Sequence, residues 1–135
     1  MKHYLNSAIV YTILGLTSGV FYREFTKFSG YSESTRLSLI HGHYISLGLF
    51  FFLFLLILEK QFAWSRFPKT KLIVLGYHLG LNISVLGFLI RGTSEVLGTN
   101  MTSALNASIA GISGIGHIIL AVTLIMILFR VKKAI

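Results

Sequence analysis

Four long apolar runs, separated by short stretches that carry nearly all the charge, organise this chain. They cover about residues 4–22, 37–58, 72–90 and 107–129, and each approximates the ~20 residues that a helix needs to cross ~30 Å of hydrocarbon. None alternates apolar and polar positions as a barrel strand does, so each reads as a helix. The first run opens like a secretory signal, Met1-Lys2-His3-Tyr4. It is followed by Tyr22-Arg23-Glu24-Phe25 where cleavage would need small residues, and it therefore reads as a retained span. The expectation is an all-α membrane protein, with residues 1–135 forming a single up-down four-helix transmembrane bundle.

The linkers differ in character. Arg23 to Arg36 is mixed in charge and contains the turn-like Ser29-Gly30-Tyr31-Ser32. Glu59 to Lys71 is basic and holds the only proline, Pro68. Arg91 to Asn106 carries little net charge, and Ser103 is expected to help start the last helix.

Composition sharpens the picture. Hydrophobic residues make up 54% and charged residues 12%, about half the charged share of a typical soluble domain. Mean hydropathy is +0.77. A net charge of +8 would suggest a nucleic-acid partner in a soluble chain. Here the basic residues flank apolar runs and no basic–aromatic surface motif occurs, so no nucleic-acid partner is expected. The absence of cysteine removes disulfides, thiolate metal sites and covalent heme attachment.

Charge also sets the expected orientation. Lys2, Lys60, Arg66, Lys69, Lys71, Arg130, Lys132 and Lys133 fall on one side, and Arg23, Lys27, Arg36 and Arg91 on the other. The richer side should be cytoplasmic, which gives an N-in/C-in topology. Trp64 and Phe62 suit an inner interfacial anchor, and Tyr22 an outer one.

Four of the five histidines lie inside the apolar runs: His41 and His43 in the second, His78 in the third and His117 in the fourth. Ionisable groups are costly there and mark functional sites, and imidazole is a common metal and heme-iron ligand. With ~1.5 Å of rise per residue, His41 and His43 sit about 6–9 Å below the outer boundary and His117 about 15 Å below it. His78 sits about 9 Å above the inner boundary. Spans two and four occupy opposite corners of an up-down bundle, and bundle cores hold cofactors between facing helices.

Small residues form stripes: Ala107, Ala110, Gly111, Gly114, His117 and Ala121 on span four, and Ser38, His41, Ile45 and Gly48 on span two. Tyr11, Gly15, Ser18 and Tyr22 make a third on span one. His41 and His43 are about 200° apart around a helix and cannot share one centre. His41, on the small-residue stripe, is the favoured inward residue and pairs with His117. His43 then faces a neighbouring helix, a second site or a subunit interface; His78, which shares a face with Asn82, reads equally as a hydrogen-bonding residue or as an alternate ligand beside His43. Arg23, Arg36 and Arg91, at outer span ends, suit the propionates of a heme, with Glu24 and Glu95 as competing partners.

Two resemblances follow from these residues. Val20-Phe21-Tyr22-Arg23-Glu24-Phe25-Thr26-Lys27-Phe28, Leu39-Ile40-His41-Gly42-His43, Leu58-Glu59-Lys60, Ile90-Arg91-Gly92 and Gly111-Ile112-Ser113-Gly114-Ile115-Gly116-His117 resemble a family of short four-span proteins of unknown function from low-GC Gram-positive bacteria. That resemblance covers the whole chain and implies a bacterial cytoplasmic-membrane protein. His41-Gly42-His43-Tyr44-Ile45-Ser46-Leu47-Gly48 is similar to the first heme-ligand helix of heme–copper oxidase large subunits. By that similarity His41 or His43 is an axial ligand and His117 the second.

The leading expectation is a bis-histidine b-type heme protein serving electron transfer or heme sensing, with a quinone or a membrane redox subunit as partner. The alternatives are a zinc- or copper-binding carrier and a structural or accessory subunit without cofactor, and a second copy of the chain is a further candidate partner in every reading. No span carries a nucleophile with a base and an acid, so hydrolytic catalysis is not expected.

Overall fold

A computed structural model describes residues 1–135 and contains four long helices and no strand. They are α1 (Lys2–Phe28), α2 (Leu37–Phe62), α3 (Thr70–Leu97) and α4 (Ser103–Ala134), each long and apolar enough to cross a membrane. All four outrun their apolar stretches. A helix continues readily into the polar layer flanking a hydrocarbon core, where Arg23, Lys27, Glu59 and Lys60 extend the terminal turns.

The short linkers turn each helix back on its predecessor. Gly30, at φ +63°, closes the first turn, and Gly98, at φ +62°, ends α3 with its N–H donating to the Glu95 carbonyl. Thr102, rather than Ser103, caps α4: its hydroxyl accepts from the Leu105 N–H at 3.3 Å. Thr102 holds extended backbone, which aims its oxygen at the first turn, whereas Ser103 is already helical.

Two helix pairs pack most closely, α1 with α2 and α3 with α4, and α2 joins the pairs along α3. Glycine sets both close approaches. A Cβ on Gly48 would lie 2.5 Å from Tyr11, and one on Gly80 would lie 2.6 Å from the Leu120 backbone nitrogen. The stripes on spans one and two therefore meet each other. The stripe on α4 does not pack: Gly111 and Gly114 have nothing within 4 Å, and the buried face of α4 carries Gly116, Leu120, Thr123 and Ile127 instead.

α2 contains a π-helical stretch, Tyr44–Phe50, directly after His43. Its wider turn shifts the phase of the residues that follow, so a regular 3.6-residue wheel misplaces them. Within it the Leu47 carbonyl accepts from the Tyr77 hydroxyl at 2.9 Å.

Aromatic rings fill the core. Tyr4 stacks on Trp64 at 5.6 Å, and Phe52 lies 5.6 Å from Tyr11. Trp64 is fully buried, and its indole N–H donates to the Leu55 carbonyl at 3.3 Å. The residue expected as an interfacial anchor is thus a plug, because the turn at Ala63 (φ 47°) directs its ring back under the bundle. Phe67, next along, receives Arg66, Arg130 and Lys133 within 5.9 Å of its ring.

The two ends of the bundle differ in charge. One gathers eight basic residues with a single carboxylate, Glu59, and the other four basic residues with Glu24, Glu33 and Glu95.

Candidate functional site

The four histidines of the spans are separated into three settings. His41 turns toward α1, where its Nδ1 donates to the Gly15 carbonyl at 2.8 Å. Its ring lies over Gly19, whose missing side chain leaves the space. His43 points to the other side of α2. Its Nδ1 donates to the Leu39 carbonyl, one turn back, at 2.9 Å.

On α4, His117 makes the same bond, from Nδ1 to the Ser113 carbonyl at 2.8 Å. The rings of His43 and His117 stand 6.2 Å apart, centre to centre, at 87°. Phe88 of α3 touches both edge-on, at 4.8 Å from His43 and 5.7 Å from His117. The structure therefore brings His43, and not His41, beside His117. The small-residue stripe that carries His41 is consumed by packing against α1.

Hydrogen bonding decides what these rings offer. A carbonyl only accepts, so Nδ1 of His43 and of His117 must carry a proton in each case. In the neutral ring this leaves Nε2 as a lone-pair donor, the arrangement in which a protein presents imidazole to a metal. His117 is exposed and His43 half-buried, so the pair opens toward the outside of the bundle. No set of three or more His, Asp or Glu side chains converges to hold an ion.

The arginines considered for propionates are engaged elsewhere. Arg36 pairs with Glu95, whose Oε2 also accepts from the Arg36 backbone N–H at 2.9 Å. Arg91 donates to the Asn106 carbonyl and side chain at 3.0 and 2.7 Å. Arg23 lies exposed, 3.7 Å from Glu24.

His78 occupies a setting of its own, between α1 and α3. Its ring stacks on Phe52 at 4.6 Å and on Tyr11 at 5.6 Å. The Tyr11 hydroxyl lies 2.7 Å from its Nδ1. Asn82 donates to that hydroxyl at 3.0 Å and to the His78 carbonyl at 2.8 Å, and it accepts from the Tyr44 hydroxyl at 3.0 Å. The predicted His78–Asn82 face exists, but of the two tyrosines that complete it Tyr11 stood out only on a packing stripe, and Tyr44 had no expected role beside His78. Phe88 left no sequence signal at all, since one phenylalanine among eleven carries none.

The chain belongs to the family described as "Protein of unknown function (DUF2871)", whose model matches residues 1–134. This agrees with the whole-chain resemblance to an uncharacterised family. No curated protein and no solved structure matches it.

Proposed function

We propose that this member of an uncharacterised family is a copper-binding protein of the bacterial cytoplasmic membrane, with His43 and His117 as the ligands and both termini in the cytoplasm. The observation that carries the reading is the 6.2 Å spacing of two imidazoles whose Nδ1 protons are committed to backbone carbonyls. Two rings on opposite sides of one ion, with metal–nitrogen bonds of about 2 Å, have centres about 6 Å apart. Imidazole suits copper, zinc and iron alike. Zinc prefers four ligands and the chain supplies two, whereas copper(I) accepts two in line. The charge difference between the bundle ends supports the orientation.

A b-type heme is the second reading, because the same ring spacing suits an iron with two axial imidazoles. It requires Phe88 to turn away, since a flat macrocycle centred between the two rings meets that side chain. It also leaves the propionates to compete with Glu95 and Asn106 for Arg36 and Arg91. In either reading the metal centre serves sensing or electron transfer with a second membrane protein.

The test is purification after expression with copper and heme supplied, followed by elemental analysis, an optical spectrum and competition with a chromophoric copper(I) chelator. Stoichiometric copper, lost in His43→Ala and His117→Ala and kept in His41→Ala, is expected. A heme spectrum instead selects the second reading, and neither metal bound overturns both.

A further inference from the structure

An open, largely apolar seam that carries a few polar groups runs between α1 and α3 from the basic end of the bundle. Two cavities lie along it, of about 340 and 360 Å³, each lined by His3, Ser7 and His78. The first adds Tyr4 and Lys71; the second adds Tyr11 and Asn82 and runs out along Val10 and Leu14. Volumes of this size fall in the range of small-molecule sites.

The hydrogen bonds settle the polarity of His78. The Tyr11 hydroxyl accepts from Asn82, and its single proton has one acceptor nearby, His78 Nδ1. Nδ1 therefore carries a lone pair, and the neutral ring bears its proton on Nε2. That atom makes no hydrogen bond within the protein, although the ring is clamped between Phe52 and Tyr11. His78 is thus the opposite tautomer from His43 and His117, and it offers a donor to the seam where they offer lone pairs.

We propose that this seam binds a lipid-soluble quinone, with one carbonyl accepting from His78 Nε2 and the other facing Lys71 and His3 at the mouth. His78 lies about 12 Å along α3 from Thr70, within the apolar stretch, where a charged head is costly and a neutral carbonyl is not. The seam carries donors at two levels, and a quinone has acceptors on opposite edges of one flat ring. Val10 and Leu14, exposed beside the inner cavity, give an isoprenoid tail an apolar exit to the bilayer. This site shares no residue with the His43–His117 pair and stands whether or not that pair holds a metal.

The single tryptophan reports on it. Trp64 stacks on Tyr4, which lines the outer cavity, so a bound quinone quenches its fluorescence. Full-length protein in phosphatidylcholine nanodiscs, titrated with decyl-ubiquinone, is expected to show saturable quenching. His78→Phe keeps the ring stack and removes the donor, and should weaken binding about tenfold. Tyr11→Phe, a milder change that frees the His78 tautomer, should weaken it by a smaller factor, and His43→Ala should leave it unchanged. Linear, non-saturating quenching, or equal affinity in wild type and both His78→Phe and Tyr11→Phe, overturns the proposal. So does tighter binding of monoolein that displaces the quinone, which would make an acyl-ester carbonyl the occupant.

Discussion

His43 and His117 lie on different helices with 73 residues of chain between them, yet their rings stand 6.2 Å apart, each held by a carbonyl one turn back on its own helix. This arrangement leaves both Nε2 lone pairs free without help from any carboxylate. The orienting groups are the backbone carbonyls of Leu39 and Ser113, which no side-chain substitution removes.

Phe88 separates the two metal readings. Phe88→Ala removes the ring that abuts both imidazoles. Copper(I) affinity should then change by less than about threefold, since no ligand is lost. Heme uptake in reconstitution should rise if the macrocycle reading holds. Parallel copper competition and heme titration of the variant measure both.

The glycines should divide by position. Gly80→Ala places a methyl 2.6 Å from the Leu120 backbone nitrogen, where neither partner can yield, and should cost about 1–3 kcal/mol or more. Gly48→Ala, against Tyr11, belongs to the same class. Gly114→Ala meets nothing within 4 Å and should be neutral or mildly stabilising, by up to about 1 kcal/mol. Loss of helical signal on titration with sodium dodecyl sulfate ranks the three.

Arg36 and Glu95 tie the start of α2 to the end of α3. Both side chains are partly exposed, so solvent screens the pair, and a double-mutant cycle with alanine at each position should give a coupling of about 0.5–1 kcal/mol. Raising the salt concentration should reduce it. A coupling near zero at low salt would leave the contact as a purely geometric one.

Trp64 should emit at short wavelength, as a fully buried indole does. Tyr4→Ala removes its stacking partner and should shift emission to the red and admit a water-soluble quencher. An unshifted spectrum would place the indole outside the aromatic core.

Orientation can be read chemically because the chain has no cysteine. Ser32→Cys, in the first linker, should react with a membrane-impermeant maleimide in intact cells, and Lys132→Cys should react only after lysis. The reverse pattern would invert the proposed topology.

Much of the fold was legible because a hydrocarbon solvent leaves few options. Four runs of sufficient length must be helices, and short linkers must make neighbours antiparallel. The glycines of α1 and α2 announced a close contact that does form. The glycine stripe of α4 announced one that does not, since small residues permit approach without compelling it. Trp64 was misplaced for a similar reason: its position near a span end suited an anchor, and only the left-handed turn at Ala63 shows that it folds inward.

Sequence alone determined the element type, the number of spans, the charge asymmetry of the two ends and the presence of four costly imidazoles, all consequences of composition and order along one dimension. Tertiary structure decided which imidazoles meet. A wheel cannot tell whether the face carrying His41 or the face carrying His43 turns to α4, because that depends on how α1 claims the glycine-lined side of α2. It cannot show that His78 is a donor, because the tautomer follows from Tyr11 and Asn82, brought to the ring from another helix and from one turn along its own.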